Sequence, residues 1–211
     1  MAISLKKGQG ISLSKSEFDL SKVTIGLGWD IASSGGFLKS VFGKKEEEYD
    51  LDAIAFLCQS DGKVHRFGDQ RLTGGDIVFF NSQRHPSGKI WLTGDNRTGA
   101  GDGDDEQIVV LLDSIPAEFT KIVFVASIYE GRNRSQHFGR VQNAYIRAVD
   151  ARGKEMVRTD LSVSPETQGK CSMVFAELNR SAVGWEFKSL LQPQVTDSFV
   201  QILRDYYKAS N

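Results

Sequence analysis

Ten short β-rich segments, with no long helical pattern between them, constrain the fold of this 211-residue chain most strongly. In VTIGLGWD (23–30) the apolar residues alternate with small or polar ones, which is the period of a strand with one buried face. The other nine segments are 51–58, 76–80, 89–93, 107–113, 121–130, 143–150, 155–163, 171–178 and 184–190. Turn signals such as Asp61-Gly62 and Pro86-Ser87-Gly88 separate them. Strands joined by short turns pair antiparallel, so the sequence predicts one all-β domain, a sandwich of two antiparallel sheets.

Three segments add detail to this sandwich. KIVFVASIYE (121–130) is apolar at almost every position, which predicts a central strand covered on both faces. The segment 34–49 interrupts the strand pattern, and we interpret it as an insertion loop or short helix with a solvated charge run. The sandwich domain is therefore expected to span residues 1–192, and residues 193–211 to form a C-terminal amphipathic helix packed on it or appended to it.

The C-terminal segment TDSFVQILRDYYKAS (196–210) has an apolar stripe with helical spacing, and Thr196 or Asp197 is the expected N-cap. The stripe consists of Val195, Phe199, Ile202, Leu203, Tyr206 and Tyr207. We expect it to pack on one sheet face. The alternative is a helix that binds a partner or a membrane surface, although its polar face lacks the dense Lys and Arg of a helix that binds anionic lipid.

Charge and cysteine content limit the classes of function. The formal net charge is −1, which provides no general attraction to nucleic acid or to an anionic membrane. No apolar run reaches the roughly 18 residues of a membrane span, and no apolar signal region follows the N-terminus, so a cytoplasmic protein is expected. Cys58 and Cys171 lie in separate apolar runs outside any C-x-x-C pair, which predicts buried, reduced thiols.

One loop concentrates the negative charge of the chain. GDNRTGAGDGDDE (94–106) carries five carboxylates and four glycines between two predicted strands. The glycines let the backbone turn sharply, and the side chains of Asp95, Asn96, Asp102, Asp104, Asp105 and Glu106 supply oxygen atoms. Hard oxygen ligands on a flexible backbone suit Ca²⁺, whereas Mg²⁺ would take fewer protein ligands and more water.

The two alternatives to a calcium loop are an EF-hand and a solvated acidic loop. An EF-hand does not fit, because Arg97 stands where that pattern needs Asp or Asn and no flanking helices are predicted. A solvated acidic loop is the simpler alternative, but Asp104, Asp105 and Glu106 abut an apolar strand, where repulsion among fixed carboxylates cannot relax by fraying. Asp30, Asp50 and Asp52 also stand at predicted strand ends, and if these ends share one rim, their oxygens suffice for two cations.

Four stretches resemble the TerD family of tellurium-resistance and bacterial stress proteins: IGLGWD (25–30), DLDAIAFL (50–57), HPSGKIWLTGDNRTGAGDGDDEQI (85–108) and FGRVQNAYIRAVD (138–150). The resemblance covers about residues 1–190 and implies a calcium-binding β-sandwich without a known enzymatic reaction. It implies two calcium ions, held by Asp30, Asp52, Asp95, Asp102, Asp104, Asp105 and Glu106. Asn96 and carbonyl oxygens in 98–101, such as those of Gly99 and Gly101, are expected to complete the ligand shells.

The leading hypothesis is a non-enzymatic Ca²⁺-binding protein of tellurite, chemical-stress and phage or colicin resistance. Its expected partners are other stress-resistance proteins of the same operon type, in the cytoplasm or at the inner face of the membrane. The first alternative is a divalent-metal enzyme acting on a phosphorylated or tellurium-containing small molecule, with Arg97, Arg132 and Arg134 as an anion clamp. The sequence shows no convincing general base for it, and His65, His85 and His137 are interpreted as surface or capping residues. The second alternative is a scaffold with purely structural calcium.

Two polar residues outside the loop, Asn143 and Glu130, also have predicted roles. Asn143 stands among apolar residues, which favours a buried amide bonded to loop backbone over a contact with a ligand. Glu130 ends a predicted strand and is a weaker candidate for the same rim as the acidic loop.

Overall fold

The computed structural model describes residues 2–31, 49–93, 103–160 and 165–207, with the side chains of residues 30 and 31 excepted. Within these ranges the chain forms two six-stranded sheets that pack face to face. The predicted all-β sandwich is therefore confirmed. The segment 34–49 lies outside the described residues apart from Tyr49, which is buried.

The strands follow in chain order. They are β1 (Ile3–Ser4), β2 (Gly10–Leu13), β3 (Val23–Ile31), β4 (Leu51–Cys58), β5 (Ile77–Val78), β6 (Ile90–Thr93), β7 (Glu106–Val110), β8 (Lys121–Ile128), β9 (Val141–Val149), β10 (Glu155–Asp160), β11 (Ser172–Ser181) and β12 (Gly184–Gln194). The first sheet has the order β1-β10-β9-β3-β7-β6 and the second has the order β2-β12-β11-β8-β4-β5.

Each of the ten predicted segments overlaps an observed strand, and neighbouring strands pair antiparallel as expected. The exception among the described strands is β1, which pairs parallel with β10. The strands β1 and β2 were not predicted, because two and four residues are too few to show an alternating pattern. The segment predicted to continue to residue 113 leaves the sheet after Val110 and forms a 3₁₀ turn at Leu112–Ser114.

The core lies between the sheets and continues on the outer face of the second sheet. β8 supplies Ile122 and Phe124 to the cluster between the sheets, while Val123 and Val125 belong to a second apolar cluster on the opposite face. Since β8 lies between β4 and β11, it is a central strand with two covered faces, as the sequence predicted. This double coverage explains why the strand lacks polar alternation.

The C-terminal segment covers the second cluster with a shorter helix than expected. Helix α1 (Phe199–Leu203) is followed by a 3₁₀ turn at Arg204–Tyr206. Ile202 and Leu203 are buried, and the Phe56 ring contacts Phe199 and Tyr206 at centroid distances of 6.5 and 5.6 Å. The expected packing on a sheet face is therefore confirmed.

The expected N-cap of this helix was wrong, and so was the inclusion of Val195 in its apolar stripe. Ser198 precedes the helix and makes no side-chain cap, so neither Thr196 nor Asp197 is the N-cap. The carbonyl oxygens of Thr196 and Asp197 instead accept hydrogen bonds from the hydroxyls of Ser172 and Ser127, at 2.7 and 2.9 Å. These bonds hold the residues before the helix on the sheet, which leaves Val195 exposed outside the helical stripe.

Two further sequence expectations can be compared with the fold. Cys58 and Cys171 are buried free thiols, as predicted. No helix within the described ranges is long and apolar enough to cross a bilayer.

Replacing Leu203 with alanine should lower the free energy of unfolding by about 2–4 kcal/mol, because it opens a cavity beneath α1. Val200→Ala on the same helix should change it by less than about 0.5 kcal/mol, since Val200 is 42% exposed. Urea denaturation followed by circular dichroism measures both values. Equal losses for the two variants would contradict the packing of α1 described here.

Candidate metal site

Four of the ten predicted ligands have described side chains: Asp52, Asp104, Asp105 and Glu106. Asp30 lies near the end of β3, where its backbone is described and its side chain is not. The other five predicted ligands, Asp95, Asn96, Gly99, Gly101 and Asp102, lie outside the described residues. The structure therefore shows where the acidic loop rejoins the sheet and leaves most of the loop undescribed.

Asp105 connects the end of the acidic loop to the end of β3. Its backbone N–H donates to the carbonyl oxygen of Leu27 at 2.9 Å, and its Oδ2 atom accepts the N–H of Trp29 at 3.0 Å. The residue is only 8% exposed. A buried carboxylate thus holds the backbone of β3 immediately before Asp30.

Glu106 extends in a different direction and joins the two sheets. It is the first residue of β7, pairs with Leu27 of β3, and is 3% exposed. Its Oε2 atom accepts the backbone N–H of Ala53 in β4, which belongs to the opposite sheet. Asp52 precedes Ala53 in the chain, so this hydrogen bond brings the start of β4 to the start of β7.

These contacts place three chain segments at one end of the sandwich: the end of β3, the start of β4 and the start of β7. We call this region the acidic rim and define it by Asp52, Asp105, Glu106 and the backbone of Asp30. Within the described side chains, no group of three His, Cys, Asp or Glu residues is arranged so that it could hold a metal ion. A complete site at the acidic rim therefore needs ligands from Asp30 or from the undescribed part of the loop.

Asp104 lies on the outer face of the first sheet. Its Oδ1 atom accepts the Nε–H of Arg147 at 2.7 Å, and its Oδ2 atom accepts from Nε2 of Gln107 at 3.2 Å. The side chain of Asp104 is 2% exposed and that of Arg147 is 27% exposed. The hydrogen bond to Asp104 raises the pKa of Arg147 above its already high ordinary value, so this partner of the buried carboxylate stays charged.

Tyr145 fixes the backbone beside Asp104. Its hydroxyl lies 2.8 Å from the carbonyl oxygen of Gly103 and 3.2 Å from Oδ1 of Asp104. Burial, with the Asp104 carboxylate as a further cause, raises the pKa of Tyr145, which keeps the hydroxyl protonated as a donor. Tyr145 and Arg147 thus anchor the C-terminal end of the acidic loop to β9.

Glycines in β3 make room for this anchor. A Cβ atom at Gly26 would lie 2.1 Å from Oδ2 of Asp104, and one at Gly28 would lie 2.5 Å from Cζ of Tyr145. Both distances are far below contact separation, so any side chain at these positions would displace the anchor. The glycines of IGLGWD therefore let a loop residue and a residue of β9 lie flat on β3.

Tyr145 and Arg147 were not among the predicted site residues. A signal was present, because residues two apart in a strand share a face and Tyr145 and Arg147 are two apart. In the structure they pair with Gly28 and Gly26 of β3, so all four positions lie on one face. The missing information was the register between two strands that are distant in sequence.

Glu130 and Asn143, the two polar residues considered outside the acidic loop, are both exposed. The side chain of Glu130 is 47% exposed and pairs with Arg134 at 3.3 Å. Asn143 is exposed and has a φ of 49°, so the prediction of a buried amide was wrong. Asparagine is among the residues that adopt this left-handed conformation most readily, which accounts for it at this point of β9.

Two of the three histidines, His65 and His85, lie away from the acidic rim. His65 contacts Asp61 at 2.9 Å, and His85, at 2% exposure, contacts Oδ1 of Asp76 at 3.2 Å. His85 is therefore not a surface residue, but its Nδ1 atom accepts the backbone N–H of Ser87 at 3.1 Å, as the capping interpretation expects. Burial by itself would raise the pKa of Asp76, but hydrogen bonds from His85 and Arg66 outweigh it and hold this pKa below its ordinary value.

Comparison with known proteins shows similarity over nearly the whole chain. The TerD domain family matches residues 1–206. The chain is 61% identical to the tellurium resistance protein TerX of Serratia marcescens, over 98% of this chain and 100% of that protein. It is 39% identical to the stress response protein SCP2 of Bacillus subtilis, over 90% of this chain and 92% of that protein.

A solved structure shares the fold. The crystal structure of a homologue of the telluride resistance protein TerD from Streptomyces coelicolor A3(2) superposes with a TM-score of 0.61 at 21% identity. The match covers 85% of this chain and 94% of that one. At this level of identity the similarity concerns the two-sheet architecture.

Replacing Arg147 with glutamine should lower the free energy of unfolding by about 2–3 kcal/mol, because it removes the charged donor from a buried carboxylate. The matched control is Arg134→Gln, which disrupts the exposed pair with Glu130 and should cost less than about 1 kcal/mol. Chemical denaturation at neutral pH measures both variants. Equal costs would contradict the anchoring role of the Asp104–Arg147 pair.

Proposed function

Because the chain belongs to the TerD domain family, whose members include tellurium-resistance and stress-response proteins, we propose that it is a non-enzymatic Ca²⁺-binding protein of bacterial tellurite and chemical-stress resistance. The proposal includes the phage or colicin resistance that the family resemblance implies. The proposed location is the cytoplasm, including the inner face of the membrane, and the proposed partners are other stress-resistance proteins of the same operon type.

The observation that carries the calcium proposal is the pair of backbone contacts made by Asp105 and Glu106. These two buried carboxylates hold the N–H groups of Trp29 and Ala53, which are the chain neighbours of Asp30 and Asp52. Acidic residues from three strands therefore approach one rim. The buried carboxylates of Asp105 and Glu106 place negative charge at this end of the sandwich, and a bound cation offsets that charge.

The chemistry of the donor set fits calcium. The described side chains at the acidic rim offer carboxylate oxygens, which are the hard ligands that Ca²⁺ prefers over nitrogen or sulfur. We propose that Asp30 and the loop oxygens of Asp95, Asn96, Gly99, Gly101 and Asp102 complete the ligand shells of two ions. Bound calcium would supply positive charge that fixes the acidic loop against the ends of β3 and β4.

Asp104 remains in the proposed ligand set with an additional role. Its oxygens accept hydrogen bonds from Arg147, Tyr145 and Gln107, but a carboxylate has about four lone-pair sites and can bind a cation as well. Asp104 would then link the ions to β9. Comparing Asp104→Asn with Asp105→Asn would show whether both residues contribute to affinity.

The structure offers less support for the enzyme alternative. The histidine–carboxylate pairs His65–Asp61 and His85–Asp76 lie beyond the C-terminal end of β4, since Asp76 bonds to Leu57 and Asp61 follows Cys58. The acidic rim lies at the other end of β4, near Asp52. Eight strand residues span roughly 25 Å, so neither pair can act as a general base at the rim.

The scaffold alternative depended on a free apolar stripe in the C-terminal helix. In the structure the stripe residues Ile202 and Leu203 are buried against the second sheet. The sheet therefore covers that face of the helix. A partner would therefore need another surface of the domain.

Adding Ca²⁺ to metal-stripped protein should raise the melting temperature by roughly 5–10 °C once the free ion exceeds its dissociation constant about 100-fold, because ligand binding stabilises only the folded state. Differential scanning calorimetry and isothermal titration calorimetry with CaCl₂ measure the shift and the stoichiometry. Absence of both a shift and binding heat would rule out the proposed site.

Matched variants locate the binding site. Asp105→Asn and Glu106→Gln keep an oxygen acceptor for Trp29 and Ala53 but remove charge, so they should lose most of the calcium-dependent shift. Asp113→Asn is the control, because Asp113 pairs with Lys15 outside the acidic rim. If all three variants respond like the unmodified protein, calcium binds elsewhere.

A further inference from the structure

A cavity of about 390 Å³ lies beside the loop that follows β8. Its lining includes Gly131, Arg132, His137, Arg140, Gly169 and Cys171. This volume falls within the range of small-molecule sites in proteins. The cavity belongs to the end of the sandwich that carries the acidic rim, because Ile128 at the end of β8 pairs with Leu51 at the start of β4.

The charged side chains that line the cavity are cationic. Arg132 and Arg140 are both exposed, and neither guanidinium group forms an ion pair or a hydrogen bond with another described residue. The nearby carboxylate of Asp197 accepts the backbone N–H of Arg132 at 3.0 Å. Two guanidinium groups that share one cavity repel each other, and an anion bound between them relieves this repulsion.

His137 also lines the cavity. Its Nδ1 atom is buried and has no hydrogen-bond partner in the described part of the chain. Burial, together with the charge of Arg140, lowers the pKa of His137, so its imidazole is neutral near pH 7. A neutral imidazole adds no charge to the cavity, so its positive charge comes from the two guanidinium groups.

The neighbouring Cys171 does not oppose an anion. Its Sγ atom donates to the carbonyl oxygen of Gln136 at 3.2 Å, and burial raises the pKa of the thiol above its ordinary value. The group therefore stays protonated and neutral at physiological pH.

The backbone holds the cavity wall in place. Ile128 N–H donates to the carbonyl oxygen of Cys171 at 2.8 Å, and Phe138 N–H donates to that of Lys170 at 2.8 Å. Gln136 N–H closes the loop on the carbonyl oxygen of Gly131 at 2.7 Å. A wall fixed by such bonds loses little conformational entropy when a ligand binds.

From these observations we propose that the cavity binds a phosphate-like oxyanion, held by Arg132 and Arg140. The anion is either free or part of a small phosphorylated molecule. The proposal does not depend on calcium binding. It also differs from the clamp expected from the sequence, because Arg134 is paired with Glu130 and Arg140 takes its place.

Isothermal titration calorimetry tests the proposal with two probes, inorganic phosphate and glycerol 3-phosphate, in phosphate-free buffer of about 0.15 M ionic strength. We expect saturable binding with one site per chain. Tighter binding of glycerol 3-phosphate would assign the cavity to a phosphorylated molecule, and equal or tighter binding of inorganic phosphate would assign it to the free anion. Lack of saturable binding of either probe up to about 10 mM would overturn the proposal, since this range includes millimolar dissociation constants.

Variants distinguish this cavity from general surface charge. Arg132→Gln and Arg140→Gln should each weaken binding about tenfold, as expected for loss of one charge-assisted hydrogen bond. Arg71→Gln is the matched control, because Arg71 is exposed and does not line the cavity. Wild-type affinity in the Arg132→Gln/Arg140→Gln double variant would overturn the proposal.

Nuclear magnetic resonance provides a second readout that does not require a variant. Addition of inorganic phosphate should shift the backbone amide resonances of Gly131, His137 and Gly169, which line the cavity. Shifts confined to other parts of the chain would also overturn the proposal.

Discussion

The hydrogen bond from the backbone of Ala53 to the carboxylate of Glu106 is the constraint on which the candidate metal site depends. It connects the two sheets at the end of the sandwich where the acidic loop rejoins β7. Apolar contacts between sheets are not directional, so they leave some freedom for one sheet to slide on the other. A buried polar contact allows much less movement, because a small displacement would leave a charged acceptor without its donor.

Asp104, Asp105 and Glu106 are consecutive in sequence, and each accepts hydrogen bonds from a different part of the fold. Asp104 lies on the outer face of the first sheet, Asp105 holds the end of β3, and Glu106 reaches the second sheet. In sequence they form a single charge cluster. In the structure each carboxylate is surrounded by different hydrogen-bond donors, which separates the charges and limits their mutual repulsion.

The fold was largely predictable because strand alternation and turn residues are local signals. The boundaries of β4 at Leu51 and Cys58 agree with the prediction, and the double burial of β8 follows from its continuous apolar composition. The predicted length of helix α1 was too great, because tertiary hydrogen bonds hold Thr196 and Asp197 outside the helix. Local propensity carries no information about such bonds.

The sites were predictable to a smaller extent. Clustered carboxylates marked the acidic loop directly, whereas the anchor formed by Tyr145 and Arg147 depends on pairing between β3 and β9. The cavity at Arg132 and Arg140 likewise depends on the packing of Gly169 and Cys171 against a loop about 30 residues earlier. Long-range register of this kind is not encoded in any single segment.

The glycines of β3 have a consequence for how this chain can vary. The outer surface above Gly26 and Gly28 is formed by side chains that belong to Asp104 and Tyr145. A larger residue at position 26 would therefore compete with Asp104 for the same volume, and one at position 28 would compete with Tyr145. Positions 26 and 104, and likewise 28 and 145, are thus steric pairs, and a larger residue at position 26 or 28 requires a smaller one at its partner position.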